Sequence, residues 1–79
     1  MPHVVVKLWP GKGAAEKAAL TAAIVREVRC ILMYGDASVS VAMEEVPADE
    51  WRERVFEPDI LGKWGTLTKP PGYGEKPSG

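Results

Sequence analysis

The residue best suited to chemistry in this sequence is Pro2, which follows the initiator Met1. Because proline is small enough to permit removal of the methionine ahead of it, we expect Met1 to be cleaved off. Pro2 would then carry a secondary amine, with a basic lone pair that an amide nitrogen lacks and a ring that fixes its direction. Burial disfavours the ammonium form, which lowers the pKa of such an amine towards neutrality and makes it a usable general base.

Other nucleophilic and metal-binding side chains are few, because Cys30 and His3 are the only cysteine and histidine. One cysteine forms no intramolecular disulfide, and a structural zinc site normally takes four protein ligands, so we expect no disulfide and no metal. Cys30 falls on the apolar side of a predicted helix, where a free cysteine acts as a small buried hydrophobe. His3 is interpreted as a surface or interface residue.

The element that must hold Pro2 is a strand directly after it. Residues His3–Trp9 are rich in β-branched side chains and are followed by a Pro-Gly turn, which predicts a first strand. Its three consecutive valines make both faces of the strand apolar, as in a strand that is covered on both sides. The sequence therefore predicts a second layer.

A long helix and a second strand follow. Residues Ala14 to about Met33 carry apolar side chains at helical spacing, with Gly13 as cap and Gly35 as stop. Residues Ser38–Val46 alternate apolar and polar side chains, which predicts a strand. Because a full helix separates the two strands, we expect a parallel pair joined by a right-handed βαβ crossover.

The remainder of the chain predicts short helices and a tail. A short helical stretch is expected at Glu50–Phe56, and Pro58 fits the first turn of a further helix to about Thr68. Residues 69–79 are rich in proline and glycine. We therefore expect a single domain at 1–68 and a C-terminal tail at 69–79, ordered only where something holds it.

Composition limits the classes of partner. The chain has 79 residues, a net charge of -1 and no block of like charge, which argues against a nucleic-acid partner. Its apolar runs fall far short of the roughly 20 residues that span a bilayer, so we expect no membrane segment and a cytoplasmic protein. A two-stranded unit is marginal alone and would leave valines in water, which predicts an obligate homo-oligomer.

The order of these features resembles the 4-oxalocrotonate tautomerase family over essentially the whole chain. The features are Met1-Pro2, the apolar strand, the Pro10-Gly11-Lys12 turn, the long helix and Ser38-Val39-Ser40-Val41. The C-terminal extension is similar to the longer bacterial subgroup, whose members form dimers and favour phenylenolpyruvate. The resemblance implies an α/β (α+β) βαβ fold completed by oligomerisation, dimer rather than hexamer. It also implies a cofactor-independent keto–enol tautomerase of small enol or unsaturated 2-keto acids.

The resemblance implies roles for four residues. Pro2 matches the amino-terminal proline that acts as general base and then general acid. Lys12 stands where many members place an arginine that binds the substrate carboxylate, and a lysine keeps the charge but loses the bidentate fork. Ser40 stands where another arginine polarises the substrate carbonyl in the best-known enzyme, and one hydroxyl does not replace that cation. Trp51 takes the place of an aromatic wall that narrows the pocket or stacks on an aryl substrate.

The serine at position 40 leaves alternatives open. Arg52 or Arg54 could supply the missing positive charge, and the departures favour a mono-acid such as an aryl enolpyruvate over a dicarboxylate. The same proline could instead serve a hydratase or dehalogenase, for which Glu44 or Glu45 would have to activate water. A third alternative is a non-catalytic oligomeric protein that keeps the fold without the chemistry.

Overall fold

The first half of the chain folds as a βαβ unit. The computed structural model describes residues 1–78, which belong to two compact units, Met1–Glu45 and Val46–Gly79. The first unit consists of strand β1 (His3–Leu8), helix α1 (Ala14–Leu32) and strand β2 (Ser40–Glu45). The two strands form a parallel sheet in which His3 lies opposite Ser40. The predicted fold class, two parallel strands with a helix between them, is confirmed.

The register of the sheet assigns its side chains to two faces, because successive residues of a strand point to opposite sides. Lys17 of α1 forms an ion pair of 3.1 Å with Glu45, which identifies the face that α1 covers. That face also carries Val4, Val6, Leu8, Val41 and Met43. The opposite face carries His3, Val5, Lys7, Ser40, Ala42 and Glu44.

The βαβ unit has no buried core of its own. Every residue from 1 to 45 is half-buried or exposed, including Val5, which is 43% exposed on the face that α1 does not cover. The apolar run at the end of α1 is also open to solvent, with Ile31 72% and Met33 85% exposed. Apolar surface of this extent remains available for a further layer.

The ends of α1 differ in how far the sequence predicts them. Gly13 caps the first turn, and its N–H donates to Oε1 of Glu16 at 3.2 Å. The predicted end near Met33 is confirmed to within one residue, but the left-handed residue that ends α1 after Leu32 is Met33 (φ 61°, ψ 39°) and not the predicted Gly35. A 3₁₀ turn at Asp36–Ser38 then delays the start of β2 from the predicted Ser38 to Ser40.

The expected burial of Cys30 is also wrong, since the residue is exposed. Cys30 follows Arg26 by four residues, so the two share one face of α1, and Arg29 lies beside them. These side chains line an open concavity of about 600 Å³ together with Ala22, Val25, Tyr34 and Asp36. Cys30 thus belongs to the charged side of the helix.

The second unit has a small core and little regular structure. Val46, Val55 and Phe56 are 2–4% exposed. Around them lie 3₁₀ turns at Ala48–Glu50 and Trp64–Thr66 and a π-helical segment at Arg52–Leu61.

The predicted break before Pro58 is wrong, because this residue lies inside the π-helical segment Arg52–Leu61. In an α-helix the proline ring collides with the carbonyl four residues earlier, whereas a π-helix is wider and bonds over five residues. The N–H of Gly62 donates to the carbonyl of Glu57 at 2.8 Å in this five-residue pattern. The chain therefore continues through the proline without starting a new helix.

No helix among residues 1–78 combines the length and the apolar character that crossing a membrane requires.

Candidate active site

Pro2 lies at the amino end of the sheet, one residue before β1. Its carbonyl accepts a hydrogen bond of 3.2 Å from the N–H of Ser40, which extends the pairing of the strands by one step. Pro2 is half-buried, whereas Met1 is 88% exposed. The backbone of Pro2 is thus fixed while the residue ahead of it is open to solvent.

A side-chain pair lies next to Pro2 on the face of the sheet that α1 does not cover. Nδ1 of His3 and Oγ of Ser40 share a hydrogen bond of 2.6 Å. When the imidazole donates from Nδ1, the hydroxyl of Ser40 can donate its own proton to a third group. In the other tautomer the hydroxyl donates that proton to Nδ1 of His3. The sequence alone assigns no such role to His3, although parallel pairing of residue 3 with residue 40 would have indicated it.

Lys12 lies at the opposite end of the same unit. It follows Gly11, whose φ of 125° only glycine adopts easily, and it precedes the capped start of α1. The strand between Pro2 and this turn spans about 17 Å at 3.3 Å per residue, well beyond the reach of one lysine side chain. Lys12 is exposed and forms no ion pair with any residue from 1 to 78. It therefore does not share a small substrate with the Pro2 of its own chain.

Trp51 belongs to the second unit and is half-buried there. Its indole Nε1–H donates to the hydroxyl of Tyr73 at 3.1 Å. The segment 69–79, which the sequence predicts to be a tail, thus contributes Tyr73 as a hydrogen-bond partner of Trp51. No spacing signal in the sequence connects residues 51 and 73.

The two arginines considered as substitutes for the missing cation both have carboxylate partners. Arg52 forms a bidentate pair with Glu75, at 3.0 and 2.6 Å, and Arg54 contacts Glu50 at 3.1 Å. Hydrogen bonding from Arg52 lowers the pKa of the Glu75 carboxyl to about 2, and hydrogen bonding to Glu75 raises the pKa of Arg52. Neither guanidinium is left as an unpaired cation for a substrate.

The groups at the amino end of the sheet suit proton transfer. They are the backbone nitrogen of Pro2 once it is unblocked, the hydroxyl of Ser40 and the imidazole of His3. Glu44 lies about 13 Å from Ser40 along β2, and Glu45 is paired with Lys17. Among residues 1–78, no group of three or more His, Cys, Asp or Glu side chains is arranged to hold a metal ion.

Comparison with known proteins identifies relatives along nearly the whole chain. A probable tautomerase of Xylella fastidiosa is 36% identical over 75 residues, which are 95% of this chain and 92% of that protein. The tautomerase PptA of an Enterobacter species is 36% identical over 74 residues, 92% of this chain and 97% of that protein. No family model matches the sequence.

The fold has a counterpart among crystal structures. TomN, a 4-oxalocrotonate tautomerase homologue in the tomaymycin biosynthetic pathway, superimposes with a TM-score of 0.62 at 32% identity. The match covers 63% of this chain and 77% of TomN. Sequence and structure thus agree that this chain belongs to the 4-oxalocrotonate tautomerase family.

Proposed function

We propose that this chain is a cofactor-independent keto–enol tautomerase of small enol or unsaturated 2-keto acids, with Pro2 as general base and acid. The observation that carries the proposal is the hydrogen bond from Ser40 N–H to the carbonyl of Pro2. It fixes the backbone of Pro2, a half-buried residue, against that of Ser40, whose hydroxyl contacts the imidazole of His3. The proposal requires removal of Met1, whose 88% exposure leaves the bond to Pro2 open to a peptidase.

The reaction moves one proton from oxygen to carbon. The free nitrogen of Pro2 takes the proton of the enol hydroxyl, and the electron pair of that O–H bond forms the carbonyl. The carbon–carbon π pair then takes a proton from the prolyl ammonium, which returns Pro2 to its basic form. A partner subunit that covers this amine would disfavour its ammonium form, which lowers the pKa of the amine towards neutrality and makes it a usable general base.

We propose that the hydroxyl of Ser40 binds the enol oxygen of the substrate. A hydroxyl that donates to the developing enolate oxygen stabilises the charge that forms there. This donation needs His3 to donate from Nδ1 to Ser40 Oγ, so that the serine proton points away from the imidazole. His3 is then a positioning residue for Ser40.

We propose that Lys12 binds the carboxylate of a substrate that lies at the Pro2 of another protomer. Its separation from its own Pro2 and its lack of a carboxylate partner support this assignment. We accordingly propose a homo-oligomer, with a dimer favoured over a hexamer. In this assembly the Lys12 of each copy contributes to the site of a neighbouring copy. The exposure of Val5 on the open face of the sheet and the absence of any buried residue from 1 to 45 also support association.

The substrate is proposed to be an aryl enol acid, such as phenylenolpyruvate, with Trp51 as an aromatic wall. Arg52 and Arg54 are paired with carboxylates, which leaves Lys12 as the proposed anchor and favours one substrate carboxylate over two. An indole stacks well on an aryl ring.

Ketonisation of phenylenolpyruvate, followed in the ultraviolet, tests the proposal. We expect turnover by protein whose intact mass lacks Met1. We expect Pro2→Ala, which leaves a primary amine in a less constrained position, to lower kcat by at least about tenfold. Glu44→Gln should leave the rate unchanged, whereas a hydratase or dehalogenase that used this carboxylate would lose activity. A rate that Pro2→Ala does not alter would show that Pro2 is not the base, whereas no turnover by protein that lacks Met1 would leave the oligomeric, non-catalytic alternative.

A further inference from the structure

Three consecutive residues near the C-terminus, Tyr73, Gly74 and Glu75, are attached to the start of the π-helical segment and the residue before it. We call these three residues the C-terminal clasp. Tyr73 accepts the indole hydrogen bond of Trp51, and Glu75 forms the bidentate pair with Arg52. Tyr73 and Glu75 thus both have defined contacts, in a stretch whose composition predicts a tail that is ordered only where something holds it.

Phe56 anchors the clasp. This ring is 3% exposed, and its centroid lies 5.7 Å from that of Tyr73 with 38° between the planes. The guanidinium of Arg52 lies 5.5 Å from the centroid of the same ring. Because Phe56 is buried, packing against it restricts the position of the Tyr73 ring. This contact places the hydroxyl of Tyr73 near the indole of Trp51.

Gly74 is the position at which the clasp tolerates no side chain. Its φ of 75° lies in the left-handed region, and a Cβ there would stand 2.5 Å from Cζ of Phe56. Gly72, two residues earlier, has open space around it. The close approach of Gly74 to Phe56 thus brings Tyr73 within reach of Trp51.

The indole of Trp51 has one hydrogen-bond donor, the Nε1–H, and that donor is directed at Tyr73. An indole that keeps this bond has its ring plane restricted about both side-chain torsions. Loss of the bond removes this restraint on the orientation of the ring.

We infer that Tyr73 is a positioning residue that sets the orientation of Trp51 and thereby the preference of the site for aryl substrates. The inference rests on the proposed function, in which Trp51 forms an aromatic wall. Tyr73 itself touches no reacting atom. Its effect is on binding of the aryl group and not on the proton transfer at Pro2.

The test compares Tyr73→Phe and Gly74→Ala with Gly72→Ala as matched control, all in the full chain. The first readout is the NMR resonance of the Trp51 indole N–H, assigned with Trp51→Phe. We expect both clasp variants to shift this resonance and to speed its exchange with solvent, and Gly72→Ala to leave it in place. An unchanged resonance in Tyr73→Phe overturns the positioning role.

The second readout separates KM from kcat on two substrates, phenylenolpyruvate and the enol acid with methyl in place of phenyl. Loss of one hydrogen bond predicts a KM about fivefold higher for the phenyl substrate in Tyr73→Phe, with kcat and the methyl substrate unaffected. An equal change for both substrates overturns the specificity role. A wild type without ketonisation activity contradicts the proposed function instead, and the indole resonance still tests the contact.

Discussion

Nδ1 of His3 and Oγ of Ser40 lie 2.6 Å apart at the amino ends of two parallel strands. The two residues are directly opposite in the register of the sheet, and the N–H of the same serine binds the carbonyl of Pro2. One residue thus connects the imidazole to the residue that we propose as the base. The imidazole determines whether the serine hydroxyl can donate to a substrate.

This relationship predicts coupling between His3 and Ser40 in catalysis. We expect Ser40→Ala and His3→Leu each to lower kcat/KM for phenylenolpyruvate about tenfold, because each removes the oriented donor. The double variant should be no worse than either single variant. Ser38→Ala in the preceding turn is the control and should retain full activity. Effects that add in the double variant would show that the two side chains act independently.

Replacement of Met33 by glycine should stabilise the protein. Because its φ of 61° strains a residue with a Cβ, Met33→Gly should raise the free energy of unfolding by about 1 kcal/mol, measured by urea denaturation. Leu32→Gly, inside the last turn of α1, should lower it by about 1 kcal/mol. A destabilised Met33→Gly would mean that packing of the methionine outweighs the strain.

The ion pair of Glu75 with Arg52 should make the stability of the C-terminal clasp depend on pH. Arg52 lowers the pKa of Glu75 in the folded state from its ordinary value of 4.5 to about 2. The clasp is therefore fully stabilised by this pair above pH 4.5, and the contribution is lost as the pH falls through about 2. The ¹³C resonance of the Glu75 carboxyl should titrate in that low range. In Arg52→Gln the carboxyl should titrate at higher pH than in the wild type; identical titration in both proteins would refute the pairing.

The open face of β1 predicts association. We expect sedimentation to give twice the mass of one chain, and Val5→Lys to shift the protein to monomer, because a charge in place of this exposed valine opposes burial of the face. Glu27→Lys, on the exposed side of α1, should remain dimeric. A wild-type monomer at micromolar concentration would contradict the dimer, and with it the sharing of Lys12 between protomers.

The βαβ unit is largely predictable from local pattern. Valines at 4, 5 and 6 indicate a strand with two apolar faces, and the apolar spacing from Leu20 to Leu32 indicates a helix, because both signals arise from neighbours in sequence. Gly13 as cap follows from the same local chemistry. The end of α1 follows to within one residue, but the residue that caps it does not, because Met33 adopts a left-handed conformation that is usual for glycine.

The contacts of the candidate site depend on long-range geometry. His3 meets Ser40 only through the strand register, and Tyr73 meets Trp51 only because Gly74 packs against Phe56. Neither pairing leaves a periodic trace in the sequence. Arg52 illustrates the same limit, since its positive charge is visible in the sequence and its neutralisation by Glu75 is not.

The central claim is that an unblocked nitrogen of Pro2 is the base. The most direct measurement compares ketonisation by two forms of one chain, one lacking Met1 and one carrying an N-terminal extension that keeps the Pro2 nitrogen acylated, each verified by intact mass. We predict that the extended form loses at least about 100-fold in kcat while its circular dichroism is unchanged. Equal rates for the two forms would contradict the claim.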